Sequence, residues 1–84
     1  MIIQGLEFVR TSVCSPEQYT VNKDGRQVGY VRVRHGWLTC CYPNSMGDEI
    51  LESEVLGDGM LEPEERQYFL ECCAYEINNR LGAI

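Results

Sequence analysis

Five cysteines and a single histidine are the residues of this 84-residue chain best suited to metal or nucleophilic chemistry. The cysteines are Cys14, the adjacent pair Cys40 and Cys41, and the adjacent pair Cys72 and Cys73. A zinc site usually spaces its thiolates C-x₂₋₄-C so that two can reach one ion. No such spacing occurs here, and neighbouring residues on a strand point to opposite faces. The cysteines therefore read as small apolar fillers, with Cys72 on the exposed side of a helix. A Cys–His nucleophile would need a thiol beside His35 and a third group to orient it. His35 falls in a His-Gly turn, away from the helix cysteines. The paired acids Glu52/Glu54 and Glu64/Glu65 suit a strand surface and a helix start rather than acid–base catalysis. These residues point to no catalytic group, no metal and no cofactor, and the expectation is a non-enzymatic protein.

Size and charge narrow the alternatives. One domain, 1–84, accounts for the chain. Thirteen acidic and seven basic residues give a net charge of −6. That balance weighs against direct nucleic-acid binding, which needs a cationic surface, and suits a basic partner surface. No apolar run has the length of a membrane span. The N-terminus, MIIQGLEFVR, has none of the parts of a signal peptide. An odd cysteine count with two adjacent pairs is a poor disulfide framework. Together these readings place the chain in the cytosol.

The elements that must position any site are set by Gln18 to Tyr42, where alternating residues are broken by Asp24-Gly25 and His35-Gly36. Both dipeptides suit two-residue hairpin loops with positive φ. With those loops, Val21 faces Val28 and Tyr19 faces Tyr30, while Val33 faces Leu38 and Val31 faces Cys40. One sheet face then carries Val31, Val33, Leu38, Cys40 and Tyr42, and is the expected core face. The other carries Tyr19, Val21, Val28, Tyr30, Arg32, Arg34, Trp37, Thr39 and Cys41, and is the expected open face. Leu6 to Ser12 has strand-like content, ending before Pro16. Glu49 to Val55 reads as a strand with Leu51 and Val55 inward and Ile50, Glu52 and Glu54 on the open face, near Arg32 and Arg34. Pro63 opens a helix with acids in its first turn, and Gly82 closes it. Phe69, Leu70, Cys73, Ile77 and Leu81 form one apolar stripe, with Ala74 beside it, expected to cover the core face. The expected fold is α+β: a four- or five-stranded antiparallel meander sheet with one C-terminal helix packed on one face. Strands are expected over about 6–12, 18–23, 26–35, 37–42 and 49–55, and the helix over about 63–81.

Two surfaces stand out as candidate contact sites. On the open face, Tyr19, Tyr30, Arg32, Arg34 and Trp37 could stack a base and clamp a phosphate, or anchor a protein, since Tyr, Trp and Arg are favoured at interfaces. On the exposed helix side, Glu64, Glu65, Tyr68, Glu71 and Tyr75 form an acidic and aromatic strip. Clustered with Glu49, Glu52, Glu54, Asp58, Glu62 and Glu76, these acids could imitate DNA phosphates and occupy a basic groove.

The run CSPEQYTVNKDGRQVGYVRVRHGWL, followed by YPN, GDEILESEV and GDGMLEPEER, resembles short proteins encoded by phages and mobile elements of Gram-positive bacteria. Its hallmark is the turn followed by VGYVRVR. The resemblance implies an accessory protein acting in the host bacterial cytosol. Small acidic proteins of that setting often bind and inhibit a host protein, such as a nucleic-acid-binding defence complex, in the manner of anti-CRISPR proteins or DNA mimics. It carries over no functional residue. Two other readings come from the residues themselves: a nucleotide or small-ligand sequestering protein using Tyr30, Arg32, Arg34 and Trp37, and a homodimer joined through the open face.

Overall fold

A computed structural model describes residues 1–82 of the expected domain, residues 83 and 84 lying outside the described part. Six strands are followed by one helix: β1 (Ile2–Ile3), β2 (Leu6–Arg10), β3 (Gln18–Lys23), β4 (Arg26–Arg34), β5 (Trp37–Tyr42), β6 (Asp48–Glu54) and α1 (Pro63–Leu81). The strands pair antiparallel in chain order, β1-β2-β3-β4-β5-β6. The α+β class and the meander are as expected. The sheet has six strands rather than four or five, because Gln4-Gly5 makes a further hairpin that brings β1 onto β2.

Three X-Gly turns build the sheet. Gln4 and Gly5, Asp24 and Gly25, and His35 and Gly36 all have positive φ, between 53° and 81°, as type I′ loops require. Glycine at the second position meets no steric cost there. The His35-Gly36 hairpin has the expected register, with Arg34 opposite Trp37, Val33 opposite Leu38 and Val31 opposite Cys40.

The Asp24-Gly25 hairpin departs from expectation after two pairs. Lys23 faces Arg26 and Asn22 faces Gln27, but Val21 then faces Gly29, Thr20 faces Tyr30 and Tyr19 faces Val31. Val28 is the extra residue of a β-bulge. One inserted residue moves every side chain beyond it to the other face. Tyr19 and Val21 therefore join the helix-covered side, 1% and 0% exposed, and Val28 is buried as well. The expectation that Tyr19, Val21 and Val28 share the open face is thus corrected. Gly29 sits beneath the helix, where an added Cβ would lie 2.5 Å from Ile77 Cδ1 and 3.3 Å from Val21 Cβ. A residue without a side chain is what allows the bulged strand and α1 to approach this closely.

A second irregularity lies between β5 and β6. Cys40 faces Leu51 but Cys41 faces Glu49. Ile50 is left without a partner and packs against the core instead of the open face.

The helix starts where the sequence implies. Pro63 occupies its first turn, and the Glu62 N–H donates to Glu65 Oε2 at 2.9 Å. Gly82, at φ +73°, closes it with its N–H on the carbonyls of Asn78 and Asn79. Leu70, Cys73, Ala74 and Ile77 are fully buried against Leu6, Val21, Val31, Val33, Leu38 and Cys40. Removing a side chain the size of Leu70 or Ile77 from water contributes about 1.5–3 kcal/mol before entropy is counted. No helix among the described residues is long and apolar enough to cross a membrane.

Candidate functional site

The most polar point inside the protein is Glu17, just ahead of β3 and 0% exposed. Arg66 on α1 grips it with a fork: Nε donates to Oε2 at 2.9 Å and Nη2 to Oε1 at 3.1 Å. The Leu61 N–H donates to Oε1 at 2.8 Å, and the Tyr19 hydroxyl donates to Oε2. Arg66 also donates to the Leu61 carbonyl at 2.8 Å. Burial alone would raise the Glu17 pKa, but the bonds from Arg66, Tyr19 and Leu61 outweigh it and hold the carboxyl below its ordinary value. Burial, and then the Glu17 charge, push the Tyr19 phenol up to about 12. Every oxygen of this cluster is occupied by the protein itself. It ties the 55–62 loop to the sheet, together with backbone bonds Glu17 N–H to Gly59 C=O at 2.8 Å, Val33 N–H to Glu17 C=O at 2.9 Å and Gly36 N–H to Asp58 C=O at 2.6 Å. The Arg66 fork and the buried Glu17 carry no sequence signature; Glu17 is a lone acid between Pro16 and Gln18.

Sequence reasoning also misassigned two of its candidate contact residues. Tyr19 points into this cluster rather than onto the open face. Glu65 turns inward: its two oxygens accept the Glu62 N–H at 2.9 Å and the Leu56 N–H at 3.0 Å, leaving it 8% exposed. It caps the helix and pins the loop. Glu64 remains exposed.

The open face carries Tyr30, Arg32 and Arg34 on β4 and Trp37, Thr39 and Cys41 on β5, with Glu52 and Glu54 on β6. Trp37 is 47% exposed. Tyr30 donates its hydroxyl to Gln18 Oε1. Among the described residues, neither Arg32 nor Arg34 forms an ion pair with Glu52 or Glu54. β5 stands between the two strands, so the charges are separated by two inter-strand spacings, about 9.5 Å. The face thus has a cationic column and an anionic column with Trp37 between them.

The exposed side of α1 brings together the rest of the strip. Tyr68 and Tyr75 are 63% and 58% exposed, with Glu71 between them. With Leu51, Cys72 and Glu76 they line a groove of about 270 Å³ between α1 and β6. Farther along the same seam, Glu54, Val55, Leu56, Glu65 and Phe69 line a second depression of about 410 Å³.

Ser15, His35 and Asp58 line one depression of about 190 Å³, yet His35 is engaged by Arg34 Nε at 3.2 Å and no nucleophile–base bond joins the three side chains. Among the described residues no group of three His, Cys, Asp or Glu is placed to hold a metal ion. The neighbouring Cys40 thiol, and then burial, push the Cys73 pKa well up, away from the reactive thiolate.

The chain matches no described protein family, no curated protein and no solved structure.

Proposed function

We propose that this chain is a small, acidic, non-enzymatic accessory protein that binds and inhibits a host protein. The observation that carries this reading is the pairing of exposed aromatic anchors with carboxylates: Trp37 beside Glu54 on the sheet, and Tyr68 and Tyr75 around Glu71 on the helix. Large aromatic side chains left in water are the usual anchors of protein interfaces. The surrounding acids suit a partner with a basic surface and speed its approach. A nucleic-acid-binding protein of the host defence machinery has such a surface. The phage or mobile-element setting is supported by the sequence resemblance around VGYVRVR.

Capture tests the reading. Immobilised protein should retain a basic protein from a Gram-positive bacterial lysate at roughly 50 mM salt and release it at roughly 500 mM, as screened charges require. Tyr68→Ala with Tyr75→Ala, or Trp37→Ala, should abolish retention. A set of captured proteins identical for the parent and all variants would remove the reading.

A second reading rests on Arg32 and Arg34, which form no ion pair among the described residues and lie beside an exposed Trp37. That arrangement suits an anionic aromatic ligand such as a nucleotide. Mass spectrometry of the denatured, freshly purified protein should then show a bound nucleotide, and its absence together with no binding of added nucleotides would exclude it.

A further inference from the structure

The two edges of the sheet are finished differently. β1 is two residues long, and the turn after it is fastened to α1: Gln4 Nε2 donates to the Glu71 carbonyl at 3.2 Å and Asn78 Nδ2 to the Gln4 carbonyl at 3.1 Å. β6 is seven residues long and, among the described residues, pairs only with β5. Val55 N–H donates across to the Gly36 carbonyl at 2.9 Å. Antiparallel pairs alternate between bonded and non-bonded positions, so the backbone groups of Ser53 and Leu51 point toward β5 and those of Glu52 and Glu54 point away. Among the described residues, the only bond to that outward row is Ser53 Oγ to the Glu54 carbonyl, 3.1 Å.

Beside this bare edge runs the α1–β6 seam, with its depressions at Leu51 and at Val55. Leu51 and Val55 are four positions apart in the chain, about 13 Å along the strand. We propose that β6 receives an extended strand from a partner protein, with apolar residues and lysines or arginines in alternation. The partner's backbone would complete the outward row at Glu52 and Glu54. Its apolar side chains at positions i and i+4 would enter the two depressions, against Cys72 and Phe69. Its basic side chains would fall on the opposite face, directly beside the carboxylates of Glu52 and Glu54.

Charge selects this occupant over a second copy of the chain. Two β6 strands joined edge to edge would set Glu52 and Glu54 against their own kind, a destabilising arrangement and a common protection of exposed edges. The same carboxylates that prevent self-pairing favour a basic strand. The inference rests on the protein-binding reading and specifies its partner's chemistry.

The probe is a capped nine-residue peptide of alternating valine and lysine, with a valine–glutamate peptide as control, titrated into isotope-labelled full-length protein. The basic peptide should saturate, shift amides of residues 50–55 and 68–76 most, and slow hydrogen exchange at Glu52 and Glu54 by at least about tenfold. The acidic peptide should not bind. Glu52→Pro removes an outward N–H that makes no bond to β5, a position where an edge strand tolerates proline; it should abolish binding, whereas Glu52→Gln should weaken it severalfold. Glu52→Lys with Glu54→Lys should reverse the preference between the two peptides. Shifts centred on Arg32 and Trp37, equal effects of the proline and glutamine variants, or no binding by a protein that still captures its lysate partner would each overturn strand addition. In that last case the protein-binding reading would stand. Peptide binding without any lysate capture would keep the edge site and remove that reading.

Discussion

Glu17 and Arg66 stand 49 residues apart in the chain and meet through two parallel bonds of 2.9 and 3.1 Å. The carboxylate is fully enclosed, whereas the Arg66 side chain is 27% exposed. Removing the charge from the enclosed partner leaves a guanidinium, a phenol and a backbone N–H facing a weaker acceptor. Glu17→Gln should destabilise the fold by about 3 kcal/mol, the range for breaking a buried charged pair. For a chain of this size that corresponds to a drop of roughly 12–24 °C in Tm. Calorimetry or thermal circular dichroism reads it directly, and a drop under about 4 °C would show that the fork contributes little.

The same cluster sets the acid response. Glu17 has a folded pKa below its unfolded value near 4.5. Its contribution is therefore fully present above that value and is lost as pH falls through the folded pKa. Tyr19 has the opposite sign: its folded pKa is raised to about 12 from 10.0, so its contribution holds below 10.0 and fades as pH rises toward 12. Denaturant midpoints measured from pH 2 to pH 7 should fall at the acid end, and Glu17→Gln should flatten that limb.

Gly29 offers a packing test. A methyl group there meets the Ile77 Cδ1, the movable tip of a side chain, at 2.5 Å. Gly29→Ala should destabilise by about 1–3 kcal/mol through overpacking. Adding Ile77→Val deletes the obstructing carbon and should restore part of that loss. Additive effects in the double variant would mean the two residues do not compete for the same space.

Thiol labelling reads the core from another side. Cys14 is exposed, Cys72 is half-buried, and Cys40 and Cys73 are buried in the same core cluster. Iodoacetamide at pH 8 should alkylate Cys14 first and Cys72 next. Cys40 and Cys73 should react only on unfolding, which mass spectrometry of peptides from timed samples will resolve.

Trp37→Ala should leave Tm within about 4 °C, since surface substitutions away from packed features change stability by about 0.5 kcal/mol or less. The variant is therefore suited to binding assays, where any loss reports the surface.

Much of the architecture was legible because its signals are local. Two X-Gly turns, the alternation from Val31 to Tyr42, and Pro63 and Gly82 at the helix ends each speak for their own neighbourhood. The third turn was missed because Gln4-Gly5 has neither the Asn or Asp that usually announces such a loop nor a long alternating run on both sides, as His35-Gly36 has. The open face was read correctly at Tyr30, Arg32, Arg34 and Trp37 and wrongly at Tyr19, because the bulge at Val28 is chosen by the helix lying over Gly29, a contact 48 residues away in sequence. A glycine inside a strand was the available hint. Glu65 was taken for a surface acid because nothing nearby announces that the Leu56 N–H needs an acceptor. The grip of Arg66 on Glu17 had no sequence signal at all.

Strand order that follows chain order has a consequence for synthesis on the ribosome. Each hairpin can zip onto the one made just before it, without waiting for distant sequence. The valines of β4 nonetheless stay partly wet until α1 emerges, because Leu70, Cys73, Ala74 and Ile77, which complete the core over them, all belong to that helix. A nascent fragment ending ahead of Pro63 would expose a greasy sheet and cling to its own copies, so the last quarter of the polypeptide is what makes the first three quarters safe.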